Sequence, residues 1–237
     1  MSRDVDLYVR VRRQEGRLYP DDVLAKLPLA PVTHPLRSEW LARTASANRL
    51  ITYLMRASRI RILELGCGNG WLANRMAACI DGVVVGLDRE SCELHQARRV
   101  FGKRRNLGWV SADVFSAPFS ESVFEFIVIA SAIQYFEDLP RLIVALTPLL
   151  TEKGEIHILD SPIYLADDLP GARQRSVYYY ERLGFPEMTA LYHHHTANSL
   201  DAFNPEWLYV PRGGVDEAKD KVPDSPFPWI CLRPKGW

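Results

Sequence analysis

The sequence predicts an α/β fold, a mostly parallel sheet with helices on both faces. From residue 58 onward, apolar runs typical of buried strands alternate with stretches of helical periodicity. The run 124–130 is apolar almost throughout, as a parallel strand covered on both faces requires. A glycine-rich turn directly follows the first apolar run, at the edge where open α/β sheets bind ligands. These three observations predict a ligand-binding α/β domain.

The elements follow in order along the chain. Strands are predicted at 60–65, 83–87, 107–112, 124–130 and 154–159. Helices are predicted between them at 70–80, 91–101 and 139–150, each with apolar residues at helical spacing. Two short runs bounded by prolines, 207–210 and 229–232, predict an antiparallel hairpin at one sheet edge, joined by a loop at 211–226. The predicted sheet therefore has seven strands.

Two segments lie outside this alternation. Residues 1–57 contain helical stretches at 21–27 and 39–55 separated by prolines, which predicts an N-terminal helical lid. Residues 58–237 form the predicted main domain, with a helical cap around 161–204 that is rich in tyrosine, histidine and arginine.

Composition restricts the class of partner. Lysine plus arginine and aspartate plus glutamate both number 29, and this balance disfavours a nucleic-acid partner. Four cysteines without a CxxC pair are typical of a reducing, intracellular setting. No apolar leader or run of spanning length is present, so a cytoplasmic location without membrane contact is expected. The oligomeric state cannot be inferred.

The glycine turn and two strand-end acids predict a nucleoside-bearing ligand. Gly66, Gly68 and Gly70 free the backbone to bend and to approach a ligand closely. Asp88 follows the second strand, where a carboxylate accepts hydrogen bonds from ribose hydroxyls. Trp71 stands where the dinucleotide fingerprint needs a tight helix–strand approach, so that fingerprint does not fit.

These motifs resemble those of the class I S-adenosylmethionine-dependent methyltransferases over residues 58–160. The resemblance implies a Rossmann-like fold and S-adenosylmethionine as cofactor. It places Glu64 near the amino end of the cofactor, Asp88 on the ribose and Asp113 on the adenine amino group. The full implied set is Glu64, Gly66, Cys67, Gly68, Gly70, Asp88, Arg89, Ala112, Asp113, Val114 and Ala130. The alternative is that the three acids merely form the polar rim of the sheet.

Acceptor-side candidates are fewer. Gln134 and Tyr135 follow the fourth strand and are expected near the transferred methyl, although Tyr135 could instead cap the core. One of His193, His194 and His195 is a candidate general base, with a solvated helix end as the alternative. Consecutive helical histidines diverge, so no metal site is predicted.

Other residues are expected to face the pocket. Asp160 and Ser161 follow the fifth strand, and a turn-capping role for Ser161 is equally open. In the N-terminal segment the residues that could close over the cofactor are Tyr8, Tyr19, Trp40 and Arg43, with core packing as the alternative for Trp40.

The expected function is methyl transfer to a small molecule, with oxygen slightly favoured over nitrogen as the acceptor atom. The Asn/Asp-Pro-Pro-aromatic run of amino-directed methylases is absent from the sequence. A protein or RNA methylase and a non-methylating S-adenosylmethionine-binding protein are the alternatives.

Overall fold

A computed structural model describes residues 3–89, 91–211 and 224–234. Its main sheet has seven strands in the order β3-β2-β1-β4-β5-β9-β8. Strands β1 to β5 pair in parallel, and β9 pairs antiparallel with both β5 and β8. This is the predicted Rossmann-like sheet with an antiparallel edge.

The strands begin and end close to the predicted bounds. They are β1 (Ile60–Leu65), β2 (Gly82–Asp88), β3 (Leu107–Ser111), β4 (Phe124–Ala130), β5 (Leu150–Leu159), β8 (Glu206–Tyr209) and β9 (Trp229–Leu232). The prediction for the fifth strand was too short, because Leu150 already pairs with Phe124 ahead of an irregularity in the ladder. Of the predicted loop at 211–226, residues 212–223 lie outside the described part of the chain. A separate pair, β6 (Ile163–Tyr164) and β7 (His195–Thr196), lies in the cap.

The helices were predicted less completely. They are α1 (Arg3–Gln14), α2 (Asp21–Leu24), α3 (Arg37–Leu54), α4 (Trp71–Cys79), α5 (Cys92–Phe101), α6 (Leu139–Leu146) and α7 (Leu169–Leu183). Helix α1 was not predicted at all. The prediction for 139–150 was too long, since a 3-10 turn at Thr147–Leu149 ends that helix. Among the described residues, no helix is long and apolar enough to cross a membrane.

Alternate side chains of β1 separate two cores, because successive strand residues point to opposite faces. Ile60 and Ile62 pack with α3 and α4 on one face. Leu63 and Leu65 pack with α6 on the other. A third, smaller apolar cluster joins α1 to α7 and the 3-10 turn Pro186–Leu191. Helix α3 therefore belongs to the sheet's main core, whereas α1 packs on the cap.

Candidate active site

Two cavities meet at the carboxyl edge of the sheet. The small cavity has a volume of about 430 Å³ and is bounded by α1 and the ends of β1 to β3. The large cavity has a volume of about 710 Å³ and is bounded by α3, α7 and the ends of β4 and β5. Ser131 and Tyr135 line both cavities. A ligand in one cavity therefore lies against the same two residues as a ligand in the other.

Asp88 is held in the wall of the small cavity by two backbone amides. The Gly68 N–H donates to one carboxylate oxygen at 2.6 Å, and the Arg89 N–H donates to the other at 2.7 Å. Burial raises the pKa of Asp88, and these two hydrogen bonds oppose the rise because they favour the ionised form. The turn and the carboxylate are thus fixed relative to each other, with lone pairs left for a ligand.

Most residues predicted to bind the cofactor line the small cavity. Besides Asp88 they are Gly66, Arg89, Ala112, Asp113 and Val114. Asp113 is exposed, and one of its oxygens accepts the Phe115 N–H at 2.9 Å. The second oxygen of Asp113 stands at the cavity rim, where an amino group of a ligand could donate to it.

The remaining predicted residues lie behind this wall. Glu64 is buried in β1, near the backbone of Ala73 in the first turn of α4. Its Oε2 has no hydrogen-bond partner within the described part of the chain. Burial, together with the nearby Asp88 carboxylate, raises the pKa of Glu64 to about 8, so this group carries a proton at neutral pH. Ala130 packs at the edge of the α3 core.

Trp109 of β3 packs against the glycine turn from below. A β-carbon on Gly70 would lie 2.2 Å from Cη2 of Trp109, and Gly70 has a φ of +74°. Cys67 is buried, and its sulfur lies near the same indole beside Gly86. Trp71 instead meets Trp40 edge-on, with ring centroids 5.2 Å apart. The large Trp71 side chain, which directly follows the glycine turn, therefore packs against α3.

Helix α1 closes one side of the small cavity. Tyr8 lines this cavity, lies near the buried carboxyl of Glu93, and its ring meets Tyr135 edge-on at 5.3 Å. Arg12, one turn later, lines the large cavity and pairs with Glu15 at 3.0 Å. Arg12 and Glu93 were not predicted from the sequence. The four-residue spacing of Tyr8 and Arg12, which places both on one helix face, is the signal that could have found Arg12.

The other residues expected over the cofactor have different positions. Tyr19 and Trp40 pack in the α3 core, where the indole N–H of Trp40 donates to the Tyr19 hydroxyl at 3.2 Å. Arg43 lines the large cavity, and its guanidinium donates to Ser131 Oγ at 3.1 Å.

Gln134 and Tyr135 lie in a 3-10 turn directly after β4. The Gln134 side-chain amide donates to the Ser131 carbonyl at 2.7 Å. Its Oε1 is buried in the wall of the large cavity without a hydrogen-bond partner among the described residues. An unpaired buried acceptor is costly, so a ligand group that donates to it would be favoured.

The histidine run is extended rather than helical, and its three rings point to different partners. His193 lines the small cavity. His194 places Nε2 2.9 Å from Oγ of Ser176, which lines the large cavity. His195 is buried beside Ile133, with Nε2 3.0 Å from the Ile133 carbonyl oxygen, and burial lowers its pKa. The three rings therefore lie in three different environments.

Charges around the large cavity are balanced. Its lining includes Arg12, Arg17, Arg43, Arg175, Glu15, Glu39, Asp160 and Asp224. Arg17 and Arg43 both pair with Glu39. The cavity therefore presents no single sign of charge to a ligand.

A buried polar cluster lies away from both cavities, where β5 pairs with β9. Potential ligand atoms of Glu155, His157 and Cys231 lie within 4.8 Å of one another, close enough to share a metal ion. However, His157 Nδ1 accepts the Trp229 indole N–H at 3.1 Å, which leaves Nε2–H to donate to Glu155 at 3.1 Å. Arg233 and Tyr53 also donate hydrogen bonds to Glu155. The cluster is therefore a hydrogen-bond network that links α3 to the sheet.

Comparison with known proteins places residues 62–154 in a family described as "Methyltransferase domain". A malonyl-[acyl-carrier protein] O-methyltransferase of Legionella pneumophila is 32% identical over 105 residues, which are 44% of this chain and 37% of that protein. A 2-phytyl-1,4-naphtoquinone methyltransferase of Thermosynechococcus vestitus is 31% identical over 100 residues, 41% of this chain and 44% of that protein. The chain thus matches less than half the length of these curated relatives.

A solved structure shares the fold over most of the chain. A geranyl diphosphate methyltransferase in complex with S-adenosylmethionine matches with a TM-score of 0.59 at 11% identity, covering 86% of this chain and 92% of that chain. The match to the methyltransferase family model is thus confined to residues 62–154, within a chain that shares the fold of this S-adenosylmethionine-bound methyltransferase structure. The small cavity fits S-adenosylmethionine, because it combines an amide-held carboxylate at Asp88, a second carboxylate at Asp113 and the backbone of Gly66 in the glycine turn.

Proposed function

We propose that this chain transfers a methyl group from S-adenosylmethionine to an oxygen of a small molecule. The observation that carries the proposal is the meeting of two cavities at Ser131 and Tyr135. The small cavity would hold the cofactor and the large cavity the acceptor. The two reacting atoms would then meet beside Ser131 and Tyr135, where the cavities adjoin.

The cofactor, when bound, supplies a methyl group on a sulfonium, which is a good leaving group. The protein then contributes mainly proximity and alignment, worth up to about 7–11 kcal/mol in well-oriented reactions. Asp88 and Asp113 would hold the nucleoside, and Tyr8 would close the small cavity from α1. Tyr135 would stand at the shared wall, and Gln134 would accept a hydrogen bond from the acceptor through its unpaired Oε1.

Three observations support a small acceptor. The large cavity lies between α3 and the cap, which can enclose a molecule that fits about 710 Å³. Its balanced charges do not favour a phosphate backbone. The two curated relatives act, by their names, on an acyl-carrier-protein-bound malonyl group and on a naphthoquinone, and the first is named as an O-methyltransferase. Residues 1–57 would serve as the N-terminal lid, and the segment around 161–204 as the cap, of a main domain comprising residues 58–237.

The test combines the purified chain, S-adenosylmethionine carrying a labelled methyl, and a cell extract divided by molecular mass. Release of S-adenosylhomocysteine with label in the low-mass fraction is expected. Label in protein or RNA would favour a macromolecular methylase instead. Cofactor binding without any S-adenosylhomocysteine release would indicate a non-methylating binding protein. Asp88→Ala is the control, since weaker cofactor binding should reduce release at cofactor concentrations near the Kd of the unaltered chain.

A further inference from the structure

The residues that end β4 and β5 share an uncommon backbone conformation. Ser131 has a φ of +54° and Asp160 a φ of +52°, both in the left-handed region that favours glycine. They are tied together, because the Ser131 N–H donates to the Leu159 carbonyl at 3.0 Å and Ser131 Oγ donates to the Asp160 carbonyl at 2.9 Å. Such strained residues persist where surrounding contacts hold them, and they cluster at functional sites.

This backbone places the Asp160 carboxylate in the wall of the large cavity. The side chain is 8% exposed, and one oxygen accepts the Ser225 hydroxyl at 2.9 Å. Ser46 of α3 lies near the same carboxylate and also favours its ionised form. A carboxylate has about four lone-pair sites, so acceptor capacity remains for a ligand.

Two guanidinium groups of α3 face Asp160, and each is bound to another carboxylate. Arg43 pairs with Glu39 at 2.9 Å, and Arg49 pairs with Asp224 at 2.7 Å. Burial raises the pKa of Asp160, which Arg43 and the two serines oppose. The carboxylate is thus more basic than an exposed one, and within residues 3–89, 91–211 and 224–234 it forms no ion pair of its own, as suits a general base.

The opposite walls of the large cavity are aromatic. They include Tyr135, Tyr164, Tyr179, Tyr180, Tyr192 and Phe227. Aromatic walls favour a planar ring, and the balanced charges of the lining favour an uncharged one.

We propose that the acceptor is an uncharged hydroxylated aromatic molecule and that Asp160 is the catalytic base that takes its hydroxyl proton. The inference rests on the proposed methyl transfer and specifies its acceptor class. The acceptor oxygen forms a bond to the methyl carbon as its proton passes to a carboxylate oxygen of Asp160. The methyl–sulfur bond breaks with its electron pair remaining on sulfur, which becomes neutral, and Asp160 later releases the proton to water.

The experiment uses the full chain, S-adenosylmethionine and a panel of probes running from phenol and catechol to fluorinated phenols. Methyl ether formation is measured with the unaltered chain and with Asp160→Asn. We expect kcat to fall about 100-fold or more in the variant for weakly acidic phenols. The loss should shrink for pentafluorophenol, which is already ionised at neutral pH and needs no base. A role of Asp160 in structure alone would reduce both rates equally.

The pH dependence supplies a second readout. The acid limb of kcat/KM should disappear in Asp160→Asn and move to higher pH in Ser225→Ala, because that variant loses a hydrogen bond to the ionised form. His194→Gln tests the competing Ser176–His194 pair and should keep the limb in place. Asp167→Asn, an exposed acid in the turn before α7, is the matched control and should retain full activity.

Three other results would contradict the role of Asp160, the acceptor class or the methyl transfer itself. Equal rates for the unaltered chain and Asp160→Asn, in a variant that melts normally, would remove Asp160 as the base. Turnover with cell extract but with none of the phenols would reject the aromatic hydroxyl while leaving methyl transfer intact. Cofactor binding without turnover in either case would reject the proposed function and this inference with it.

Discussion

The indole of Trp109 occupies the space that a side chain at Gly70 would need. A β-carbon there would lie 2.2 Å from Cη2 of Trp109, in a residue whose φ of +74° already disfavours any side chain. The glycine turn is therefore fixed from two directions, by the Asp88 carboxylate beside it and by an aromatic ring beneath it.

Gly70→Ala should consequently lower the free energy of unfolding by about 3 kcal/mol, the sum of backbone strain and overpacking. Gly184→Ala is the matched control, because Gly184 has a φ of +85° but its β-carbon would meet nothing within 4 Å. That control should cost about 1–2 kcal/mol. Urea unfolding of both variants measures the difference, and equal costs would mean that the indole simply moves aside.

Removal of the Asp88 carboxylate should weaken cofactor binding. Asp88→Ala loses the hydrogen bonds that hold the turn and those expected to ribose, so Kd for S-adenosylmethionine should rise about 10- to 100-fold. Asp113→Ala, at the exposed rim, should raise Kd less, by about 10-fold at most. Calorimetric titration measures both, and an unchanged Kd in Asp88→Ala would show that the cofactor site lies elsewhere.

Tyr8 offers a test of whether α1 closes the small cavity. Tyr8→Phe keeps the ring contact with Tyr135 and loses only the hydroxyl near Glu93, so cofactor Kd should change by less than about 5-fold. Tyr8→Ala loses the ring as well and should raise Kd by about 10-fold or more. Tyr178→Ala, an exposed tyrosine of α7, controls for loss of an aromatic ring as such. Identical affinities in all three variants would contradict a closing role for α1.

His157 should make stability depend on pH. Burial lowers its pKa below 6.5, so the folded state keeps the ring neutral while the unfolded chain protonates near that value. The unfolding free energy should therefore decrease as pH falls from about 7.5 to about 5.5, above the range where the lowered pKa of Glu155 acts. His157→Leu should cost about 2–4 kcal/mol at neutral pH, because it leaves the Trp229 N–H unpaired, and should flatten this slope. Urea unfolding at both pH values is the measurement, and an unchanged slope would assign the pH dependence to other groups.

The sequence predicted what depends on local pattern. Strands β1 to β4 are mostly apolar, and Asp88 stands at the end of its strand, so the order of the sheet and the position of Asp88 at its edge could be predicted. The conformations of Ser131 and Asp160 could not be predicted, because a hydrogen bond between two different strand ends fixes them. Helix α1 was not predicted because half of its residues are charged and Val11 finds its apolar partners in the cap, far along the chain.

The histidine run shows the same limit. The three histidines are equivalent in the sequence, yet long-range contacts give them different surroundings. His194 contacts Ser176, His195 contacts the Ile133 carbonyl, and His193 lines the small cavity. Which of them meets a ligand depends on how β7 pairs with β6, and no local pattern encodes that pairing.

Val11 of α1, Tyr180 of α7 and Met188 pack together in one apolar cluster above both cavities. This cluster would therefore cover both the cofactor and the acceptor of the proposed reaction, although its residues come from distant parts of the chain. Ordering of the cap around an acceptor would also press α1 toward the cofactor, so an occupied large cavity should slow escape of the cofactor from the small one. Release of the two ligands would then be coupled, because each bound ligand would hold in place the cluster that covers the other.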